Sequence, residues 1–111
     1  MDLDRARELL AAERAEAETL LRATEAERRE NRDSADETGD ISDPAQPLTA
    51  EGMDSAIAES LRDRLGAIGR AEQRIADGSY GRSVRSGLPI PDARLAADPM
   101  AELTVEEAAG R

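Results

Sequence analysis

Neither cysteine nor histidine occurs anywhere in the 111 residues. Thiolate nucleophiles, imidazole bases, disulfides and ordinary zinc sites are therefore excluded together. What remains is the chemistry of 25 carboxylates, 15 basic groups that are all arginine, and a set of hydroxyls. Paired carboxylates perform general acid–base catalysis only in a concave, desolvated pocket that drives their pKa values apart. With Tyr80 as its one aromatic residue, the composition offers no material for such a pocket, and the chain reads as a non-enzyme. Exposed carboxylates have another use: they are hard, charged acceptors that engage arginine, lysine or hydrated Mg²⁺. They accumulate in one turn-rich segment, residues 31–47, punctuated by Asn31, Ser34, Gly39, Pro44 and Pro47.

The elements that must carry this segment are thin. Of 43 nominally hydrophobic residues, 21 are alanine. Leu, Ile, Val and Phe make up only about 16% of the chain, a level at which a thick globular core is not expected. Such a composition builds paired amphipathic helices with narrow seams. The formal charge of −10 opposes autonomous binding to DNA or RNA backbones. No run approaches the roughly 20 apolar residues of a membrane span, and the start, with Asp2 and Asp4, does not resemble an export signal. The expectation is an acidic cytoplasmic partner protein.

Residues 2–30 predict one long helix, rich in Ala, Leu, Glu and Arg and free of Gly and Pro. Leu3, Ala6, Leu10, Ala17, Leu20 and Thr24 fall near heptad spacing, with Leu9 and Leu21 widening the stripe. Glu18–Arg22 and Glu25–Arg29 form helical pairs in the favourable order. A second helix is expected over about 48–77, its apolar face marked by Ile57, Leu61, Leu65, Ile68 and Ile75, and its end by Asp77-Gly78. Two helices of about 28 residues each span about 42 Å and should fold back as an antiparallel hairpin. The predicted class is all-α: a hairpin over 1–77 with an acidic tip near 31–47, then a small module over 78–111. Residues 92–97 predict one or two helical turns. A short terminal helix should follow Thr104, an N-cap with acids just after it.

That tail reads Asp77-Gly78-Ser79-Tyr80-Gly81-Arg82-Ser83-Val84-Arg85-Ser86-Gly87, then Ile90-Pro91, Arg94-Leu95, Ala97, Pro99 and Ala101. It resembles the C-terminal module of the DksA/TraR family of bacterial transcription factors. The family pattern is D-G-x-Y-G-x-C-x-x-C-G, then I-P-x-x-R-L-x-A-x-P-x-A, then C-x-x-C. The framework residues, Tyr80 and Arg94 included, are in register. The four cysteine positions are held by Ser83, Ser86, Thr104 and Glu107, with seventeen residues between the two pairs. Three hydroxyls and one carboxylate are poor zinc ligands. The resemblance therefore implies a zinc-finger-like module without zinc, held by its turns, apolar contacts and hydroxyl hydrogen bonds, and no cofactor.

The resemblance extends upstream. The family carries an acidic D-x-x-D-x-A motif at its hairpin tip, and Asp40-Ile41-Ser42-Asp43-Pro44-Ala45 stands at the corresponding distance from Ser83. It implies a partner, RNA polymerase, entered through the secondary channel in the manner of the Gre factors. Asp40 and Asp43 would then act near the active site and bias the enzyme between conformations. The basic positions that hold ppGpp in responsive members fall here on Ser60, Ala67, Asp98 and Ala108, so ppGpp is not expected to bind. The chain also lacks the long N-terminal extension of larger members. A second reading keeps the fold without the polymerase: an acidic coiled-coil adaptor, or a homodimer through Leu9 and Leu21.

Overall fold

The computed structural model describes residues 1–38 and 45–110, with side chains for 1–30 and 55–110. Asp40 and Asp43 thus lie outside the described residues, and Ala45 is described by its backbone alone. The described residues are all-α: helices α1 (Leu3–Thr38), α2 (Ala45–Asp77), α3 (Asp92–Ala97) and α4 (Val105–Ala108). Extended pairing is confined to one isolated antiparallel bridge, Arg82 to Pro89.

Two helix ends differ from expectation. Helix α1 continues through residues 31–38 instead of stopping at 30. Asn, Ser and Asp lower helix propensity, but no Gly or Pro stands before Gly39, and propensity alone does not stop a helix already formed. Helix α2 starts at Ala45, so Pro47 sits inside its first turn. Proline is tolerated there because that N–H has no intrahelical acceptor to lose. The other end follows the sequence. Gly78 adopts φ +80°, and the N–H groups of Ser79 and Tyr80 return to the Arg74 carbonyl at 2.9 and 3.1 Å.

The chain forms two compact units, Met1–Ala15 with Gly66–Arg111, and Glu16–Leu65. In the second, Ala17, Ala58 and Leu61 are buried, and Glu16–Arg64 and Glu25–Arg62 cross between antiparallel helices at 3.5 and 3.1 Å. Glu25 thereby pairs across the helices rather than along its own. In the first unit, Ala6, Leu10, Ile68, Ala71 and Ile75 are buried, and Arg14 pairs with Glu72. Leu3, Leu20 and Ile57, expected on the seam, are exposed at 41%, 44% and 48%. Leu21 and Thr24 are half-buried, and Ala58 takes the place expected of Ile57. A narrow seam in which alanine alternates with single Leu or Ile side chains lets two backbones approach closely and leaves no room for a second row of large side chains.

The tail folds onto the first unit. Gly81 and Gly87, both at positive φ, flank a loop closed by Ser83 N–H to the Leu88 carbonyl and Ile90 N–H to the Gly81 carbonyl, each 2.8 Å. Ile90, Leu95 and Ala101 form its apolar centre, with Met1 and Tyr80 packed against them. A core this small depends on each member. Leu95→Ala should cost about 2–5 kcal/mol in denaturant unfolding. Leu88→Ala, at a side chain 57% exposed, should change stability by less than about 0.5 kcal/mol.

Candidate functional site

The loop of residues 81–90 and the start of α4 bring four polar side chains to one place. Ser83 Oγ accepts the N–H groups of Arg85 and Ser86 at 3.1 and 3.2 Å. Ser86 Oγ accepts Leu88 N–H at 3.2 Å. Val84 N–H donates to the Glu102 carbonyl at 2.9 Å, tying this turn to the segment that leads into α4. There Thr104 caps the helix: its Oγ1 accepts Glu107 N–H at 3.3 Å, while Glu107 Oε1 accepts Thr104 N–H at 3.0 Å. This reciprocal pair is a capping box.

Glu107 is the centre of the group. Its carboxylate accepts the Thr104 N–H, and the polar groups around it favour its ionised form: the Ser83 hydroxyl most, then the Thr104 backbone, with smaller effects of the Thr104 and Ser86 hydroxyls. Together these outweigh the opposing effect of burial and draw its pKa from 4.5 down to about 2. Ser83 and Thr104 are buried beside it. The four residues at the family's cysteine positions therefore converge, but on a carboxylate and not around a metal cavity.

Zinc does not fit this donor set. The hydroxyls are neutral, and each already serves a backbone donor or the carboxylate. Deprotonating them at neutral pH is far too costly for ligation. Among the described residues no three acidic, histidine or cysteine side chains cluster in a way that would hold a metal ion. A carboxylate locked in its ionised form is also a poor general acid or base near neutrality.

The remaining framework residues position the module. Tyr80 OH donates to the Pro99 carbonyl at 2.8 Å, and burial raises its pKa above the usual phenol value. Arg94 Nε donates to the Leu103 carbonyl at 2.9 Å. Glu102, which the sequence did not single out, accepts Arg70 at 2.8 Å and Arg74 at 3.4 Å from α2. The Arg70 hydrogen bond is the main reason its pKa lies below the usual value. Arg70 and Arg74 stand four apart on one helical face, which is the only advance sign that they share a partner.

Comparison with known proteins follows this geometry. No protein-family model matches the chain. It is 33% identical over 88 residues to general stress protein 16O of Bacillus subtilis, covering 72% of this chain and 54% of that protein. It is 36% identical over 67 residues to the RNA polymerase-binding transcription factor DksA of Caulobacter vibrioides, covering 60% of this chain and 47% of that one. The solved structure of transcription factor DksA2 from Pseudomonas aeruginosa matches with a TM-score of 0.73 and 27% identity, over 96% of this chain and 80% of that one. The chain is DksA/TraR-like. It spans about half the length of the curated relatives it matches. This DksA-like chain contains no cysteine.

The hydrogen-bonded group makes stability depend on acid in a defined direction. The folded state keeps Glu107 ionised to lower pH than the unfolded chain does, so protons favour unfolding below about pH 4.5. Its contribution is complete above that value and lost as pH falls toward about 2. Glu107→Gln should remove this component, leaving a flatter stability profile between those limits and a less protected tail at neutral pH. Amide exchange of residues 83–107 across a pH series reads both effects. Chelator should leave the wild-type protein unchanged.

Proposed function

We propose that this protein binds RNA polymerase and regulates transcription without catalysing a reaction, working in the cytoplasm. The observation that carries the reading is the joint likeness, in sequence to a polymerase-binding DksA and in fold to DksA2. In this proposal the antiparallel pair of α1 and α2 enters the secondary channel. Asp40 and Asp43, which lie in the sequence between Thr38 of α1 and Ala45 of α2, meet cationic groups or hydrated Mg²⁺ near the active site. Ala45 keeps the motif's third position small.

The chemistry of the chain supports a protein partner. Its charge of −10 opposes the phosphate backbone. No described helix is long and apolar enough to cross a membrane. The four positions expected to bear ppGpp-binding cations are Ser60, Ala67, Asp98 and Ala108, so a guanosine polyphosphate has no basic group to hold there.

The tip reading has a direct test. Asp40→Asn with Asp43→Asn removes two charges and keeps side-chain shape. The proposal places both acids in solvent in the free protein, where such changes alter stability by less than about 0.5 kcal/mol, so helicity should stay at the wild-type level. A carboxylate partly desolvated against a cation is worth about 1.5–3 kcal/mol, so transcriptional regulation should fall at least tenfold while polymerase binding persists. The matched control is Glu59→Gln with Asp63→Asn, both exposed on α2. In vitro transcription with both double variants measures the difference. Equal loss in the two pairs would remove the tip from the mechanism.

A further inference from the structure

Within the unit Glu16–Leu65, an open cleft of about 250 Å³ is lined by Glu25, Arg28, Arg29 and Arg62. Among the described residues, three guanidiniums line it with a single carboxylate, and that carboxylate is already bridged to Arg62 at 3.1 Å. Residues 25, 28 and 29 share one face of α1 by their three- and four-residue spacing, and Arg62 reaches in from α2. The Nε of Arg28 is shielded from solvent and has no hydrogen-bond partner. A shielded, unanswered donor is unusual in a folded protein. In a chain with ten more acids than bases, a site with excess arginine is equally out of keeping with its surroundings.

We propose that this cleft is a docking site for a pair of carboxylates on the surface of a protein partner. The lining argues for that occupant. Guanidinium forks match carboxylates in a planar, bidentate geometry, and the side chains of Arg28, Arg29 and Arg62 line the cleft. Among the described residues no aromatic or apolar side chain lines the cleft, so they offer a nucleotide no platform for its base. The open mouth suits a side chain presented from a second surface, and arginine is enriched at such interfaces. Nucleic acid is disfavoured by the overall charge.

The assignment deepens the polymerase reading and rests on it: the acidic surface belongs to the polymerase. The test is an equilibrium titration of the full chain with core RNA polymerase free of nucleic acid, at two salt concentrations. Arg28→Gln with Arg29→Gln should weaken binding at least tenfold and flatten its salt dependence, with wild-type helicity. Arg28→Lys should weaken it several-fold, because charge remains and the fork is lost. Arg82→Gln with Arg85→Gln, equal in charge removed but on the tail loop, should bind within about twofold of wild type. If the wild type binds and the Arg28/Arg29 variant binds equally well, the docking site is wrong and the polymerase reading stands. If both arginine pairs lose affinity equally, bulk charge is responsible and the site is wrong. If the wild type does not bind polymerase, the polymerase reading fails and the docking site with it.

Discussion

A tail of about thirty residues with three buried apolar side chains at its centre cannot close on hydrophobic burial alone. What closes it here is a set of hydrogen bonds between its two halves. Val84 N–H donates to the Glu102 carbonyl, Tyr80 OH to the Pro99 carbonyl and Arg94 Nε to the Leu103 carbonyl, while Glu107 closes the cap of its own helix beside the Ser83 turn. The usual answer for so small a module is a metal or a disulfide, and this sequence has the ligands for neither. Hydroxyls that would be useless to zinc are suitable donors and acceptors around a carboxylate.

The fixed tail then fixes the helices. Glu102 lies in the segment leading into Thr104, and its carboxylate receives Arg70 and Arg74. The same residue's carbonyl receives Val84 N–H. Charge pairs between helix and tail and hydrogen bonds within the tail thus meet at neighbouring residues. Exposed pairs of this kind contribute little singly, but Arg74 is nearly enclosed, and its charge is tolerable only with Glu102 beside it. Along the helices themselves half of the buried seam residues are alanine, which sets spacing more than it adds stability, and the other half are leucine or isoleucine.

Much of this was legible in the sequence. Helix periodicity, the Asp77-Gly78 stop, the Thr104 cap and the short helix over 92–97 all rest on local chemistry, and local chemistry is what a sequence displays. The helix ends near the acidic segment were harder. Propensity marked 31–38 as a breaker, yet a helix already propagating runs through it, and Pro47 reads as a stop unless its place in a first turn is known. The choice among Leu20, Leu21, Ile57 and Ala58 turns on the pitch of the helices against each other, which spacing within one helix does not fix. For the site, the motif spacing marked Ser83, Ser86, Thr104 and Glu107 as a set. It did not reveal that Glu107 is their common centre, because that depends on two segments meeting in space. Glu102 and the Arg28, Arg29 and Arg62 cleft escaped for the same reason: each joins residues from elements distant in sequence.

On the reading proposed above, a DksA-like chain without cysteine is a ligand of the polymerase secondary channel. The most direct measurement is binding of the wild-type protein to core RNA polymerase with and without a second protein known to occupy that channel. The account predicts saturable binding that the competitor displaces fully. Binding that persists unchanged at saturating competitor, or no binding at all, would contradict it.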